Sequence, residues 1–423
     1  MSWGKVKVGD CCEVTSSKRI FFSEYVDSGV PFYRSKEIIE SSNGQAISEP
    51  LFISQEKYDE IKNHFGVPQP GDMLLTSVGT IGVPYIVREK DYFYFKDGNL
   101  TWFRNFSDEL DSKYLYFWLK SSEGQSVLNN TTIGSSQKAL TIASLKGLEI
   151  PCPPAPVQKR IVEILAGYDD LIENNQKQIK LLEEAAQRLY KEWFVDLRFP
   201  GHETTPIVDG VPEGWRSLYL QEIVGYEIGG GWGEETPTEK CDYPAYVIRG
   251  TDLSGITHGS ALTIPFRYHS KHNLDARTLT DGDIVFEVSG GSKTEGVART
   301  ALIRSAMLEL WQYPVMCASF CKLIRAKNTK HSQVLFDAFR YMRASGKTSE
   351  YDKKSASSIV NYRWKDFLSN ESILMPTDEL LEIYNSIVGN MYQMIVQKSI
   401  TIEKAKEARD RLLPKLMSGE IEV

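Results

Sequence analysis

Two proline stops, each followed by a long helical pattern, constrain this 423-residue chain more than any other feature. The first is "IPCPPAPVQKRIV" at residues 150–162, where Pro151, Pro153, Pro154 and Pro156 end whatever precedes them and allow a helix to start. The second is "ILMPTDELLEIYNSIV" at residues 373–388. An offset of 223 residues lays one helix on the other, placing Ile161 on Tyr384, Tyr168 on Met391, Asn175 on Lys398, Leu182 on Ala405 and Leu189 on Leu412. A second set places Ile164 on Ile387, Leu171 on Met394 and Ala185 on Ala408. Steps of seven within each set are the period of a helix seam, so each helix is read as one side of a coiled coil. Asn175 and Lys398 interrupt the apolar series at equivalent points, and a polar residue in a seam fixes register at some cost in stability.

The segments ahead of the helices correspond too. "WGKVKVGD" (3–10) resembles "WRSLYLQE" (215–222), "PFYRSKEI" (31–38) resembles "YVIRGTDL" (246–253), and "GDMLLTSVGTIG" (71–82) resembles "GDIVFEVSGGSK" (282–293). The order is domain, helix, domain, helix, with a Pro/Gly-containing connector at 199–215. Short apolar runs alternating with turn residues predict α+β domains with small, mostly antiparallel or mixed sheets. The expected division is a globular domain at 1–154, a central helix at 155–199, a second globular domain at 200–376 and a C-terminal helix at 377–423. A duplicated domain-plus-helix unit satisfies both seams if a pseudo-two-fold axis pairs the helices antiparallel and sends the domains to opposite ends. A helix over 157–194 would span about 57 Å, against roughly 34 Å between DNA half-sites one turn apart.

Composition narrows the function class. With 41% hydrophobic and 25% charged residues, no apolar run near the length of a membrane span and no charged-then-apolar leader, the chain is expected to be cytoplasmic. Six cysteines at irregular spacing suit buried thiols better than a disulfide framework, and Cys317, Cys321 and His331 lack a second ligand pair, so no metal is expected. The net charge of −7 argues against uniform coating of nucleic acid. A local footprint is compatible with it: residues 288–365 hold fourteen Lys/Arg against five Asp/Glu, a net of +9, whereas 1–150 hold sixteen against nineteen.

Catalytic motifs fail on context. "ASGKTS" (344–349) contains GKT, but Tyr341 stands where a phosphate loop needs glycine, and "GGGWG" (229–233) meets Glu234 where a dinucleotide fingerprint needs its last glycine. There is no Gly-x-Ser-x-Gly elbow, no paired helical histidines, and no Asn-Pro-Pro-aromatic tetrapeptide of the kind that base-extruding adenine methyltransferases use. The chain is read as a binding protein without chemistry of its own.

The candidate DNA contacts lie at matching places in the two halves. The loops at 76–82 and 288–296 follow a Gly-Asp turn and a short apolar strand, and they offer glycines for close backbone approach with Ser77, Thr80, Ser289, Ser292, Lys293 and Thr294 as phosphate or base contacts. Arg34, with Lys36, and Arg249 sit in the corresponding "YRSKEI" and "IRGTDL" stretches. Arginine can bond guanine or clamp a phosphate, the alternative being an ion pair with the nearby acid. Gln137 and Lys138 precede the first proline stop, and Lys353 and Lys354 hold the comparable position in the second half. Lys347 lies in the basic loop after "ASG".

Together "IPCPPAPVQKRIVEIL" entering a helix, "KEWFVDLRFPGHE" leaving it, "VPEGW" opening a second variable domain and a closing "RDRLLPKLMSGEIEV" resemble the specificity subunit of type I restriction-modification systems, over essentially the whole chain. The chain departs from that family's "PxPxxEQ" in having Val157-Gln158. The resemblance implies two target recognition domains, each for one part of a split, asymmetric DNA site, with the helices as spacer. It also implies docking of two modification subunits, which carry S-adenosylmethionine and the methyltransferase chemistry, and of restriction subunits, with no cofactor held by this chain. The other readings open to the sequence are a diverged adenine-N6 DNA methyltransferase and a coiled-coil adaptor with no DNA role.

Overall fold

The computed structural model describes residues 3–44, 47–132, 138–256, 264–290, 296–354 and 359–423. They form two compact units, Met1–Glu173 with Ala405–Val423, and Asn174–Lys404. Each unit holds one globular α+β domain and a piece of each long helix, Ala155–Tyr190 and Asp378–Met417.

In the first unit, a four-stranded antiparallel sheet runs in the order Glu13–Thr15, Leu100–Arg104, Met73–Thr76, Pro84–Ile86. A second sheet runs Tyr25–Val26, Leu51–Ile53, Val30–Tyr33, Tyr94–Phe95, its last pair parallel. Lys5–Lys7 pairs with Glu149–Pro151, so the domain's first strand meets its last just before the prolines. Tyr114, Leu115 and Trp118 on the helix Ser112–Lys120 are fully buried and close the core under the main sheet.

The second unit repeats this order. Val224–Gly229, Cys321–Ala326, Ile284–Glu287 and Thr300–Leu302 make the four-stranded antiparallel sheet. Phe266–His269, Tyr243–Ile248 and Val315–Cys317 make the second sheet, again with its last pair parallel. Arg216–Tyr219 pairs with Ser372–Met375 ahead of the second stop. The correspondence extends to single hydrogen bonds. Gly71 (φ +90°) and Gly282 (φ +82°) occupy the left-handed region, where a side chain would be strained. Gly71 N–H donates to Val87 O and Gly282 N–H to Ile303 O, both at 2.9 Å. The following Asp72 and Asp283 each accept from the backbone N–H three residues earlier, at 2.9 and 2.7 Å. Asp72 also accepts from Trp102 Nε1, and Asp283 from Arg325.

The first proline stop works as a cap built from several groups. Pro154 O accepts from Val157 and Gln158 N–H, starting the helix. The buried Gln158 side chain then donates to Glu109 O at 2.7 Å and Pro153 O at 2.8 Å while accepting from Asp111 N–H at 2.9 Å. Gln158 therefore ties the helix start to the helix Ser112–Lys120, and the Val157-Gln158 departure preserves that tie. At the second stop Thr377 O accepts from Leu381 N–H.

Within each unit the helix pieces run antiparallel. In the first, Ile161, Val162 and Leu165 share the domain core with Leu413, Leu416 and Met417, and Arg409 pairs with Asp169 at 2.6 Å. In the second, Phe194 and Trp193 pack on Tyr384 while Glu183 meets Arg340, which also reaches Tyr392.

The seam takes one correction. Ile161 and Tyr384 are fully buried, Asn175 is buried, and Tyr168, Leu182, Leu189, Met391, Lys398 and Leu412 are half-buried, as the first series requires. The second series is displaced by one residue. Leu171, Ile387 and Met394 are 41%, 39% and 45% exposed, and the buried positions are Leu165, Ile172, Ile179 and Trp193, matched at the same 223 offset by Val388, Ile395, Ile402 and Leu416. Ile164-Leu165, Leu171-Ile172 and Met394-Ile395 are apolar at both positions, so the phases are distinguished by Gln178 beside Ile179, Glu192 beside Trp193, Thr401 beside Ile402 and Lys415 beside Leu416. Among the described residues no helix is long and apolar enough to cross a membrane.

Candidate nucleic-acid interface

In the first domain, the strand Met73–Thr76 leads straight into the Gly-rich loop. Ser77 N–H donates to Asn99 O at 2.8 Å, and Leu140 N–H donates to Ser77 O at 2.9 Å, with Val78 bridged to Ala139. The segment carrying Lys138 is therefore held against the loop, and Lys138 is exposed. Ser35 Oγ also donates to Asn99 O, at 3.4 Å, which brings in the start of the helix Ser35–Ser42 with Arg34 and Lys36. Thr80 is exposed between Gly79 and Gly82, both at positive φ.

The second domain gathers the equivalent pieces. Val288 and Ser289 N–H both donate to Phe320 O, at 2.9 and 3.1 Å. Ser289–Gly290 then pairs with Val360–Tyr362, which pairs with Asp352–Lys354. Ser289 Oγ bonds Asn361 Oδ1 at 2.9 Å, and Lys353, exposed, lies opposite Asn361 in the ladder. Gly250, following Arg249, approaches Glu287 so closely that a Cβ there would stand 2.4 Å from Glu287 Oε1. Glu287 is buried and neutralised by Arg299 at 2.6 Å. Three sequence segments thus converge in each half: the start of a short helix, a Gly-rich loop and a lysine-bearing segment.

Several of the expected contact residues are engaged with groups of the chain itself. Arg34 and Arg249 take the ion-pair alternative: Arg34 meets the fully buried Glu37 at 2.5 Å and Arg249 meets Asp252 at 2.8 Å, each acid three residues on. Each carboxylate also accepts the arginine's own backbone N–H, and the guanidinium's hydrogen bonds to Glu37 and to Asp252 raise both arginines above their ordinary value. Ser77 is buried with its hydroxyl bonded to Thr101 at 2.7 Å, so its side chain supports the loop instead of facing solvent. Lys36 is paired with Glu49 at 2.9 Å, and Lys347 with Glu350 and Glu371 at 3.1 and 3.3 Å; the Glu350 bond comes first among the causes that raise Lys347. Gln137, Ser292, Lys293 and Thr294 lie outside the described residues, and Lys354 is described only as strand backbone. Thr80, Lys138 and Lys353 remain as exposed polar side chains on the converging segments.

Sequence reasoning missed how the second domain is anchored. Fully buried Asp337 accepts from Gln333 Nε2 at 2.9 Å, Tyr384 Oη at 2.8 Å and Tyr392 Oη at 3.0 Å. Burial pushes its carboxyl up to about 6 despite those donors. Its neighbour Arg340 bonds Tyr392 Oη and reaches Glu183 on the first long helix. The node thereby locks the helix Ser332–Ala344 onto both long helices. Asp337 sits alone among apolar residues in "QVLFDAF", a sign of a buried polar site that names no partner.

Residues 1–184 match the Type I restriction modification DNA specificity domain. The type I restriction enzyme MjaIX specificity subunit of Methanocaldococcus jannaschii is 26% identical, spanning 100% of this chain and 94% of that one. The MjaVIII specificity subunit of the same organism is 24% identical over 74% of this chain and 71% of that one. A putative type I restriction enzyme specificity subunit of Haemophilus influenzae is 29% identical over 44% of this chain and 45% of that one. The crystal structure of a type I restriction-modification system S subunit from M. genitalium shares the fold, with a TM-score of 0.59 over 98% of this chain and 96% of that one at 14% identity.

Proposed function

We infer that this chain, a type I restriction-modification specificity subunit by its likeness to that family along its whole length, is the non-catalytic DNA-recognition subunit of such a complex. Each globular domain reads one half of a bipartite, asymmetric site, and the long helices set the spacing between the halves. The observation that carries this reading is the duplicated constellation: the same three segments converge twice on the same scaffold, with side chains that differ between the halves. A duplicated scaffold with different surface chemistry suits two unlike half-sites read by one polypeptide. Neither a diverged methyltransferase nor an adaptor without a DNA role is favoured by the relatives.

The partners follow from the same reading. Two modification subunits, holding S-adenosylmethionine and performing adenine methylation, dock on the helices, and restriction subunits complete the complex. Leu171 on one helix and Met394 on the other are apolar, exposed and related by the 223 offset, which suits two copies of one partner. The test is methylation-site mapping in cells carrying this chain with its modification partner. A split motif with a fixed gap supports the reading, and methylation at scattered, unrelated sequences defeats it.

A further inference from the structure

The turn that precedes the inner strand of each main sheet holds a residue that the functional reading has not used. In the first domain it is Asn99, between Tyr94–Phe95 and Leu100–Arg104. In the second it is Phe320, between Val315–Cys317 and Cys321–Ala326. The pairing register makes them equivalent. Thr76 pairs with Leu100 and Glu287 with Cys321, so each turn residue stands one step beyond the ladder, Asn99 opposite Ser77 and Phe320 opposite Val288 of the Gly-rich loops. Both backbone carbonyls do the same work, accepting from Ser77 N–H in one half and from Val288 and Ser289 N–H in the other.

The side chains have no such common duty. The Asn99 amide is half-buried and has no hydrogen-bond partner among the described residues. Phe320 is 52% exposed, an unusual place for a phenyl group at the tip of a tight turn, and a Cβ on Gly290 of the loop would stand 3.9 Å from its Cδ2. The scaffold therefore fixes the backbone of this position beside the Gly-rich loop in both halves and leaves its side chain without a structural duty.

We propose that Asn99 and Phe320 are the equivalent base-reading positions of the two domains, and that their different chemistry helps make the two half-sites different. An amide offers one donor and one acceptor, the pattern that matches adenine N7 and N6 in the major groove. A phenyl ring offers no hydrogen bond and suits apolar contact with the thymine C5-methyl group. The proposal rests on the DNA-recognition reading above and adds the residues and bases through which it acts.

The experiment uses the full chain assembled with its modification partner. Asn99→Ala and Phe320→Ala are compared with the unaltered chain by methylation-site mapping and by binding to cognate duplex, with thermal melts as a control for folding. The expected result is that Asn99→Ala loses about ten- to a hundredfold of discrimination at one A·T position of one half-site only. Phe320→Ala does the same at one position of the other half-site, where replacing thymine by uracil weakens the unaltered complex and leaves the Phe320→Ala complex unaffected. An unchanged motif in both variants, a change at a G·C position, or equal sensitivity to uracil with and without the phenyl ring overturns the proposal. Methylation without sequence preference by the unaltered complex overturns the DNA-recognition reading itself, and so is told apart from failure of these two residues alone.

Discussion

The Tyr384 hydroxyl donates to Asp337 Oδ2 at 2.8 Å, in a setting where both side chains are fully buried. A charged acceptor in such a place depends on each of its donors, because the loss of one leaves part of the carboxylate unsatisfied. Tyr384→Phe keeps the ring that packs on Phe194 and Trp193 and removes only the donor. It is expected to cost about 1–3 kcal/mol in chemical denaturation of the isolated chain. A change within experimental scatter would show that the node carries no stability.

The same node sets a pH dependence. Burial raises the folded-state carboxyl of Asp337 to about 6, while an unfolded aspartate titrates near ~3.9. Between these values the folded chain holds a proton that the unfolded chain has released. This group's contribution to stability therefore falls as pH rises from about 4 to about 6, and is flat above that. Gln333, Tyr384, Tyr392 and Arg340 face the carboxylate and limit the rise. Paired melts of the unaltered chain and Asp337→Asn across pH 4 to 8 read the effect: the difference between them should shift against the unaltered chain through that window and then level off.

The helix phase gives a direct contrast. Ile172 and Ile395 are buried, whereas their neighbours Leu171 and Met394 are exposed. Ile172→Ala and Ile395→Ala should each cost about 2–5 kcal/mol, the usual price of deleting a packed aliphatic side chain. Leu171→Ala and Met394→Ala should stay within about 0.5 kcal/mol in the isolated chain and weaken capture of the modification partner. Equal destabilisation by all four would return the seam to the phase that the sequence first suggested.

What the sequence disclosed follows physical lines. The proline stops were legible because proline excludes continuation of a strand ladder or helix, and the 223 offset was legible because seam periodicity survives divergence of side chains. The choice between Leu171 and Ile172 is obscured because both are apolar, and the solvent side is marked elsewhere in the series, by Gln178, Glu192, Thr401 and Lys415. Arg34 and Arg249 were recognised as equivalent, but the burial of Glu37, which decides that the arginine is a clamp, is a tertiary fact. Asn99 and Phe320 share no chemistry, so no comparison of residue types could align them; the strand register was needed.

Salt dependence separates working lysines from committed ones. Lys353 is exposed on the converging face, whereas Lys347 is held by Glu350 and Glu371. Lys353→Ala should weaken binding to all duplexes alike and flatten the slope of log affinity against log salt by about one unit. Lys347→Ala should leave that slope unchanged. Titrations of the assembled complex at several salt concentrations check both, and the reverse pattern would move the footprint to the 347–351 turn.

In the proposed function, one polypeptide reads two separate stretches of duplex through two independent domains. Exchanging residues 1–154 for the corresponding domain of a relative such as the MjaIX specificity subunit, then mapping methylated sites with the same modification partner, tests this most directly. The predicted motif keeps one half-site and the gap unchanged and replaces the other half-site entirely. A motif altered in both halves, or altered in neither, would contradict it.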